Sequence, residues 1–370
     1  METAYALVEA GHEVTLGVRP DTQRPARNPF VFYGLAPTEG LQFVRAPVGG
    51  PHALRRFQYL AWALFRARRR RFDLVFTRDL GVASALLRIP RMRHPAIVYE
   101  SHGFAPVFAS SIDELVAGTR PATRAKLARL ERREHFVWTK ANGYVSTTQT
   151  LVNDLVDKWG TRDSVAVIAN GVRLSRERTF PPPPPPGPPV AAYAGHLYPW
   201  KGVDVFLHAV AKVADVDALV VGGHPLEKDW ARVRHAATEL GIANRVTFPG
   251  FVAATEVERR LHRAAVVVVP TTATPSARYT SPLKLFEYMA AGRPIVATNL
   301  PAIREIIAHE VNGLLVAPDN PHEMAAAIEK LVRDPLLSDR LARRAFGDVE
   351  QYSWQRRGEK LTKLFKDVVR

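Results

Sequence analysis

The stretch Ser281-Pro-Leu-Lys-Leu-Phe-Glu-Tyr-Met-Ala-Ala-Gly-Arg-Pro-Ile-Val-Ala-Thr298 decides the fold. It reads as a helix over Leu283–Ala291, opened by Pro282 in its first turn, then a buried strand over Pro294–Thr298. A helix start leaves backbone N–H groups unpaired and carries the positive end of the helix dipole, a ready place for a phosphate. Lys284 lies in that first turn, where the dipole disfavours a cation. An anion seated beside it accounts for the lysine; a surface salt bridge to a nearby carboxylate is the plain alternative. Glu287 follows about one turn later in the helix, where a carboxylate can accept two hydrogen bonds from a ribose diol.

The same rhythm runs outward on both sides. After residue 189 it gives strand Val190–Gly195, helix Gly202–Ala214, strand Ala218–Gly222, helix Trp230–Leu240, strand Val246–Phe248, helix Ala254–Ala264 and strand Ala265–Val269. Before it lie strands at Glu13–Val18, Phe72–Thr77, Ala96–Glu100, Gly143–Thr147 and Val165–Ile168, with helices at Leu54–Arg71 and Thr123–Thr139. Strands alternating with helices specify parallel sheets covered on both faces. The expected fold is therefore α/β: two Rossmann-like domains, with a ligand cleft between them at the carboxyl ends of the strands. Pro181–Pro189, eight prolines around one glycine, is read as an extended spacer. The expected division is 1–180, a linker at 181–189, a second domain over 190–350, and a closing segment over 351–370. The chain enters strand Glu13–Val18 straight from a helical stretch over Glu2–Gly11. The strand and glycine-rich turn that usually open a nucleotide-binding α/β domain are not seen, so either the true start lies upstream or the N-terminal domain lacks its first strand.

Composition sets bounds. The chain has 370 residues, 46% hydrophobic and 24% charged, ordinary for a globular protein and unlike a disordered one. Cysteine is absent, which excludes disulfides, thiolate metal sites and cysteine nucleophiles. No apolar run approaches the roughly 18 residues of a membrane span. No signal peptide is read at the N-terminus, and a cytoplasmic location is expected. The net charge is +15, and residues 1–180 carry most of it, with 27 basic against 16 acidic side chains. Such an excess attracts phosphates, acidic headgroups or nucleic acid.

Further candidates cluster at strand ends. Ala194-Gly-His-Leu-Tyr-Pro-Trp-Lys-Gly202 links a strand to a helix; Gly195 permits close backbone approach, and His196 with Lys201 can neutralise a diphosphate. His102, in Tyr99-Glu-Ser-His-Gly-Phe104, follows a strand at the expected cleft edge, as do Arg78 and Asn170. A structural histidine, a plain Asn-Gly turn and a solvated arginine are the ordinary readings of these three. Asp215-Val-Asp217 has the D-x-D pattern of some metal-dependent sugar transferases but sits at the approach to a strand and is read as a turn. No P-loop, G-x-G-x-x-G or H-E-x-x-H occurs, and the histidines are dispersed, so no metal site and no cofactor are expected. Leu54–Arg71 mixes aromatics with a basic end, which suits either an anionic membrane surface or a core-packed helix with solvated arginines. No nucleic-acid reading module accompanies the charge.

The chain resembles the retaining glycosyltransferases of the GT-B fold, specifically glycosyltransferase family 4, the group 1 transferases. The resemblance is carried along nearly the whole chain by Ala10–Val14, Asn170–Val172, Gly195–Gly202, Val220–Gly223, Val246–Gly250, Ser281–Thr298, Asn312–Val316 and Tyr352–Trp354. It implies two Rossmann-like domains with a last helix, including Arg357–Arg370, returning to the first. It also implies a nucleotide-sugar donor on the C-terminal domain and an acceptor on the N-terminal one. Glu287 matches the second Glu of the family's E-x7-E motif and would hold the ribose. Lys201 matches the lysine that binds the donor diphosphate, and His102 a histidine near the transferred sugar. His196 stands where the family usually has Arg. Tyr279 stands where the first Glu of the motif would fall, so Ser281, Pro282, Leu283 and Lys284 take over donor contacts.

The implied function is retaining, metal-independent transfer of a sugar from a nucleotide-sugar to a glycan or lipid-linked acceptor, in cell-surface polysaccharide or glycolipid synthesis. His102, Lys201 and Lys284 are the expected catalytic residues. Gly195, His196, Lys201, Ser281–Lys284 and Glu287 are the expected donor site, with Arg78, His102 and Asn170 on the acceptor side or cleft. Peripheral contact with an anionic membrane is expected through the basic first half, and no nucleic-acid partner. The alternatives are a non-catalytic nucleotide-sugar-binding homologue, or a GT-B-fold epimerase or phosphorylase.

Overall fold

The computed structural model describes residues 1–20, 26–69, 72–90, 94–112, 120–175, 177–224 and 227–369. The chain divides into two units, one of Met1–Ala109, Ala122–Asn170 and Trp354–Arg370, the other of Ser110–Pro121 and Gly171–Ser353.

The first unit holds two parallel sheets. Strands β1 (Val14–Val18) and β2 (Leu41–Arg45) form one; β3 (Leu74–Thr77), β4 (Ala96–Ser101), β5 (Gly143–Ser146) and β6 (Val165–Val167) form the other in that order. Strand alternation sends neighbouring side chains to opposite faces. Ile97 joins a cluster with Ala67, Val82 and Leu86 from helices His52–Arg69 and Leu80–Leu86. Val98 faces the other way, into Leu7, Val145, Ile168, Leu361, Phe365 and Val368. That second cluster is roofed by helices Glu2–Glu9 and Trp354–Val369, so the end of the chain completes the core of the first unit. Val14 of β1 and Leu74 and Phe76 of β3 pack against this one cluster. Among the described residues no ladder joins β1 to β3.

The second unit has one six-stranded parallel sheet of β7 (Val190–Ala194), β8 (Asp217–Val221), β9 (Val246–Gly250), β10 (Val266–Val269), β11 (Ile295–Thr298) and β12 (Leu314–Val316). Their spatial order is β12-β11-β10-β7-β8-β9. The chain starts at β7, builds outward through β8 and β9, then returns to the other side of β7 with β10. This is the doubly wound order, and its crevice opens where β7 and β10 diverge at their carboxyl ends. All four residues of β10 and of β11 are buried, as the uninterrupted apolar runs in the sequence require. Asp217 opens β8, while Asp215 stands in the turn before it.

The division differs from the predicted one. The change of unit falls at Asn170–Gly171, and the proline run lies within the second unit instead of between the two. A polyproline strand has no internal hydrogen bonds and leaves its carbonyls available. Here Arg293 donates to the Pro182 carbonyl at 2.7 Å. Pro181 lies so close to Gly292 that a β-carbon there would stand 2.6 Å from its ring. Phe180, just before the run, meets Phe346 edge to face at 5.4 Å. Strand β2 is too mixed, and strand β12 at three residues too short, to be distinguished in the sequence as strands. Pro282 sits at the N-cap of helix Leu283–Ala290, one position earlier than the first-turn placement read from the sequence.

Candidate active site

In the second unit, the loops following β7 and β10 meet at the switch point. Gly202 ends the first loop with φ +72°, and a β-carbon there would lie 1.7 Å from the Pro270 carbonyl oxygen, so only glycine fits. Thr272, two residues further along the second loop, donates through its backbone N–H to the Trp200 carbonyl at 3.2 Å. Lys201 is thereby fixed between two anchored neighbours. Gly195 opens the first loop at φ +145°, and a β-carbon there would stand 2.8 Å from the Lys284 ammonium. The absence of a side chain at 195 is what admits Lys284.

Lys284 is the pivotal residue. Its ammonium lies 3.7 Å from the centre of the Tyr193 ring. It is buried and has no hydrogen-bond partner. A buried ammonium without acceptors is costly. Burial first, and then the charge of Lys201, hold its pKa well below the usual lysine range, while Glu287 opposes them. Burial also lowers Lys201. Glu287 keeps an exposed surface yet is sufficiently enclosed that burial raises its carboxyl, against the pull of Lys284. Two lysines and one carboxylate therefore share this recess.

Tyrosines brace this recess. The Tyr193 hydroxyl donates to the His196 carbonyl at 2.5 Å. The Tyr288 hydroxyl accepts from the Ala194 N–H at 2.6 Å, joining helix Leu283–Ala290 to the end of β7. Ser281 and Pro282 are buried, whereas Leu283 is exposed at the helix start, where no side chain caps the backbone. His196 is exposed. Its ring stacks on Tyr198 at 5.1 Å, and Tyr198 stacks on Trp200 at 4.6 Å, a column the sequence reading did not anticipate. Tyr279 is buried and brings no carboxylate.

In the first unit, β4 carries Glu100 near its end, and His102 follows in the bend just after it. His102 Nε2 hydrogen-bonds the Glu100 carboxylate. The other carboxylate oxygen accepts from Arg357 of the last helix. Arg357 also donates to the carbonyls of Ile168 and Ala169 at 2.6 and 2.7 Å. Arg78 approaches Glu100 at 3.7 Å, its side chain exposed. Burial alone would raise the Glu100 carboxyl; Arg357, the His102 bond and Arg78 together bring it below its ordinary value. Asn170 is partly buried and follows Ala169 at the end of the first unit.

Behind this strand end lies a second carboxylate. Glu134 is fully buried and accepts from the Ala105 N–H at 3.0 Å, the Tyr144 hydroxyl at 3.0 Å and the Ser101 hydroxyl at 3.3 Å. Burial raises its pKa to about 7 against those bonds. Sequence reasoning missed Glu100, Arg357, Glu134, Tyr193 and Tyr288. Only Glu100 carried a local signal, its place two residues before His102 on a strand; the others act across long sequence separations.

A doubly wound sheet with a cation-lined recess at its switch point defines an α/β protein of the Rossmann-like class. Two family models divide the chain: Glycosyltransferase Family 4 matches residues 1–176, and Glycosyl transferases group 1 matches residues 188–334. The chain belongs to these family 4, group 1 glycosyltransferases. It is 28% identical over 297 residues to a D-inositol 3-phosphate glycosyltransferase of Salinispora tropica, an alignment covering 74% of this chain and 59% of the relative. The chain spans about half the length of the curated relatives it matches. Sucrose-phosphate synthase from Thermosynechococcus elongatus superposes with a TM-score of 0.77 at 20% identity, covering 99% of this chain and 91% of that one. Anabaena Alr3699/HepE in complex with UDP and glucose gives 0.71 at 18% identity, covering 98% and 94%. These likenesses establish the fold as GT-B.

Proposed function

We propose that this protein is a retaining glycosyltransferase that takes a sugar from a nucleotide-sugar donor held on its second unit. The buried, acceptorless ammonium of Lys284 beside Gly195 carries this reading. A diphosphate placed in the recess supplies the missing acceptors, and the uncapped start of helix Leu283–Ala290 adds backbone N–H donors. Glu287, whose charge acts on Lys284, takes the ribose diol. Alr3699/HepE, with the same fold, is described in complex with UDP and glucose, which makes UDP the first nucleotide to test.

The chemistry follows from the charges. Breaking the C1–O bond leaves an oxocarbenium-like sugar and places negative charge on the diphosphate. Lys201 and Lys284, already desolvated, stabilise that charge without reorganisation. Two lysines meet the charge that a metal ion meets elsewhere, so the proposed reaction is metal-independent. Retention follows if the acceptor hydroxyl attacks on the face the diphosphate leaves, with the departing phosphate oxygen accepting its proton. In the first unit, Glu100 orients His102. The acceptor is a glycan or a lipid-linked sugar bound by the first unit, consistent with a role in polysaccharide or glycolipid synthesis. Peripheral membrane contact belongs to the same reading. No helix among the described residues is long and apolar enough to cross a membrane. Helix His52–Arg69 exposes Phe57 at 69% and Phe65 at 51% beside its arginines. Of the basic run Arg68–Arg71, the side chains of residues 69–71 lie outside the described residues.

Titration calorimetry with UDP in EDTA tests the proposal. Binding of the diphosphate raises the depressed pKa of Lys284, so protons are taken up and the apparent enthalpy changes with the ionisation enthalpy of the buffer. Lys284→Met is expected to weaken UDP at least tenfold and abolish the buffer dependence; Glu287→Ala weakens it with the buffer dependence intact. Failure of UDP, GDP and ADP alike to bind would sink the donor reading. Tight binding without turnover on any acceptor would leave a binding protein.

A further inference from the structure

The first unit carries a second cation-lined cavity, of about 410 Å³. Four arginines from four elements line it: Arg19 after β1, Arg56 on helix His52–Arg69, Arg88 after helix Leu80–Leu86, and Arg133 on helix Arg124–Lys140. Asp79 is the single carboxylate in the lining. Its charge is already committed: one oxygen accepts from the N–H groups of Gly81 and Val82 at 2.8 and 3.2 Å, capping that helix, and the other meets Arg19 at 3.3 Å. Arg19 also covers the Tyr59 ring at 5.1 Å. Arg88 lies over Phe136 at 4.7 Å and is tied back to the Ser84 carbonyl at 2.5 Å. Among the described residues, Arg56 and Arg133 have no carboxylate within ion-pair distance. Burial first, then the charges of Arg129, Arg56 and Arg88, press the pKa of Arg133 downward, with Asp79 opposing.

Like charges converging on one concavity raise the free energy of the empty pocket and lower it when an anion enters. Guanidinium forks match the three oxygens of a phosphate in shape and charge. We propose that this pocket binds a phosphate monoester, with Arg56 and Arg133 as its principal contacts and Arg19 and Arg88 held by their aromatic neighbours as the flanking charges. Arg56 and Arg133 sit on helices that pack on helix Leu80–Leu86, so the part of the pocket they line is preformed. A phosphorylated soluble molecule and an anionic lipid headgroup present the same chemistry, and the experiment separates them.

The full chain is titrated at low ionic strength with glycerol 1-phosphate and, separately, in flotation assays with phosphatidylcholine vesicles with and without phosphatidic acid. Arg56→Gln and Arg133→Gln are compared with the wild type, and Arg343→Gln serves as a surface-charge control. The melting temperature of each variant reports folding. Each pocket variant is expected to weaken phosphate-ester binding about tenfold, with the control unchanged and UDP affinity unchanged. Saturable binding of glycerol 1-phosphate lost in the pocket variants assigns the site to a soluble phosphate ester. Loss confined to phosphatidic acid vesicles assigns it to a headgroup. No saturable binding of either by the folded wild type, or equal loss in the control, overturns the proposal. Because UDP is measured on the same samples, a failed donor reading and a failed phosphate pocket give different results.

Discussion

At the scale of single residues, burial decides chemistry that the residue names leave open. Lys284 and Glu134 are both charged side chains taken out of water, with opposite consequences. Burial pulls the pKa of the Lys284 ammonium down and pushes that of the Glu134 carboxyl up. The Glu134 carboxyl is raised to about 7 in the folded protein, above its ordinary value of 4.5. Between those two values the folded state holds a proton that the unfolded state has lost, so stability falls as pH rises through that window and levels off above it. The difference amounts to about 3 kcal/mol. Glu134→Gln is expected to flatten this part of the stability–pH curve, read from urea unfolding at pH 4.5, 6 and 8. A variant whose curve keeps the wild-type slope would show that another group sets it. Gln keeps an acceptor at only one of the two oxygens that Glu134 offers to Ala105 and to Tyr144, so the slope of the curve, and not its height, is the readout.

Among the elements, the last helix does more than close the first core. Its Arg357 is 2% exposed and is bound to Glu100, equally buried, and to two carbonyls near the end of β6. A helix coded more than 250 residues after β4 thus holds the carboxylate that orients His102. Removing one partner of a buried pair leaves an uncompensated charge, at a cost of about 3–5 kcal/mol. Arg357→Met should lower unfolding stability by that order. The double variant Arg357→Met with Glu100→Gln should recover much of it, because both charges are then gone. Equal loss in single and double variants would mean that the arginine acts through its carbonyl bonds instead.

For the whole molecule, the first unit has its own two sheets, the second its own single sheet, and each its own hydrophobic clusters. Two-state unfolding is therefore not assured. A nucleotide bound to the second unit stabilises that unit by mass action, about 2.7 kcal/mol at one hundred times its dissociation constant. Calorimetric scanning with saturating UDP should move upward the transition that includes the second unit, with Lys284→Met abolishing the move. A first-unit transition that rises alone would place the nucleotide on the other sheet.

Much of this was legible along the chain. The apolar runs of β7, β8, β10 and β11 and the periodic helices between them announce parallel sheets, because a strand buried on both faces must be apolar throughout. Gly195, Lys201, Lys284 and Glu287 could be singled out because helix starts and strand ends have local residue signatures. The lone histidine after β4 could be flagged for the same reason. The tertiary structure alone decided the rest. The proline run looks like a boundary by composition, yet Arg293 and Gly292 draw it onto the second unit. The burial of the Lys284 ammonium against Tyr193, the grip of Arg357 on Glu100 and the convergence of Arg19, Arg56, Arg88 and Arg133 join residues far apart in sequence. Local pattern fixes which face of an element is apolar; the desolvation and pairing of charges depend on which elements the fold brings together, and that is settled only when the sheets and helices pack.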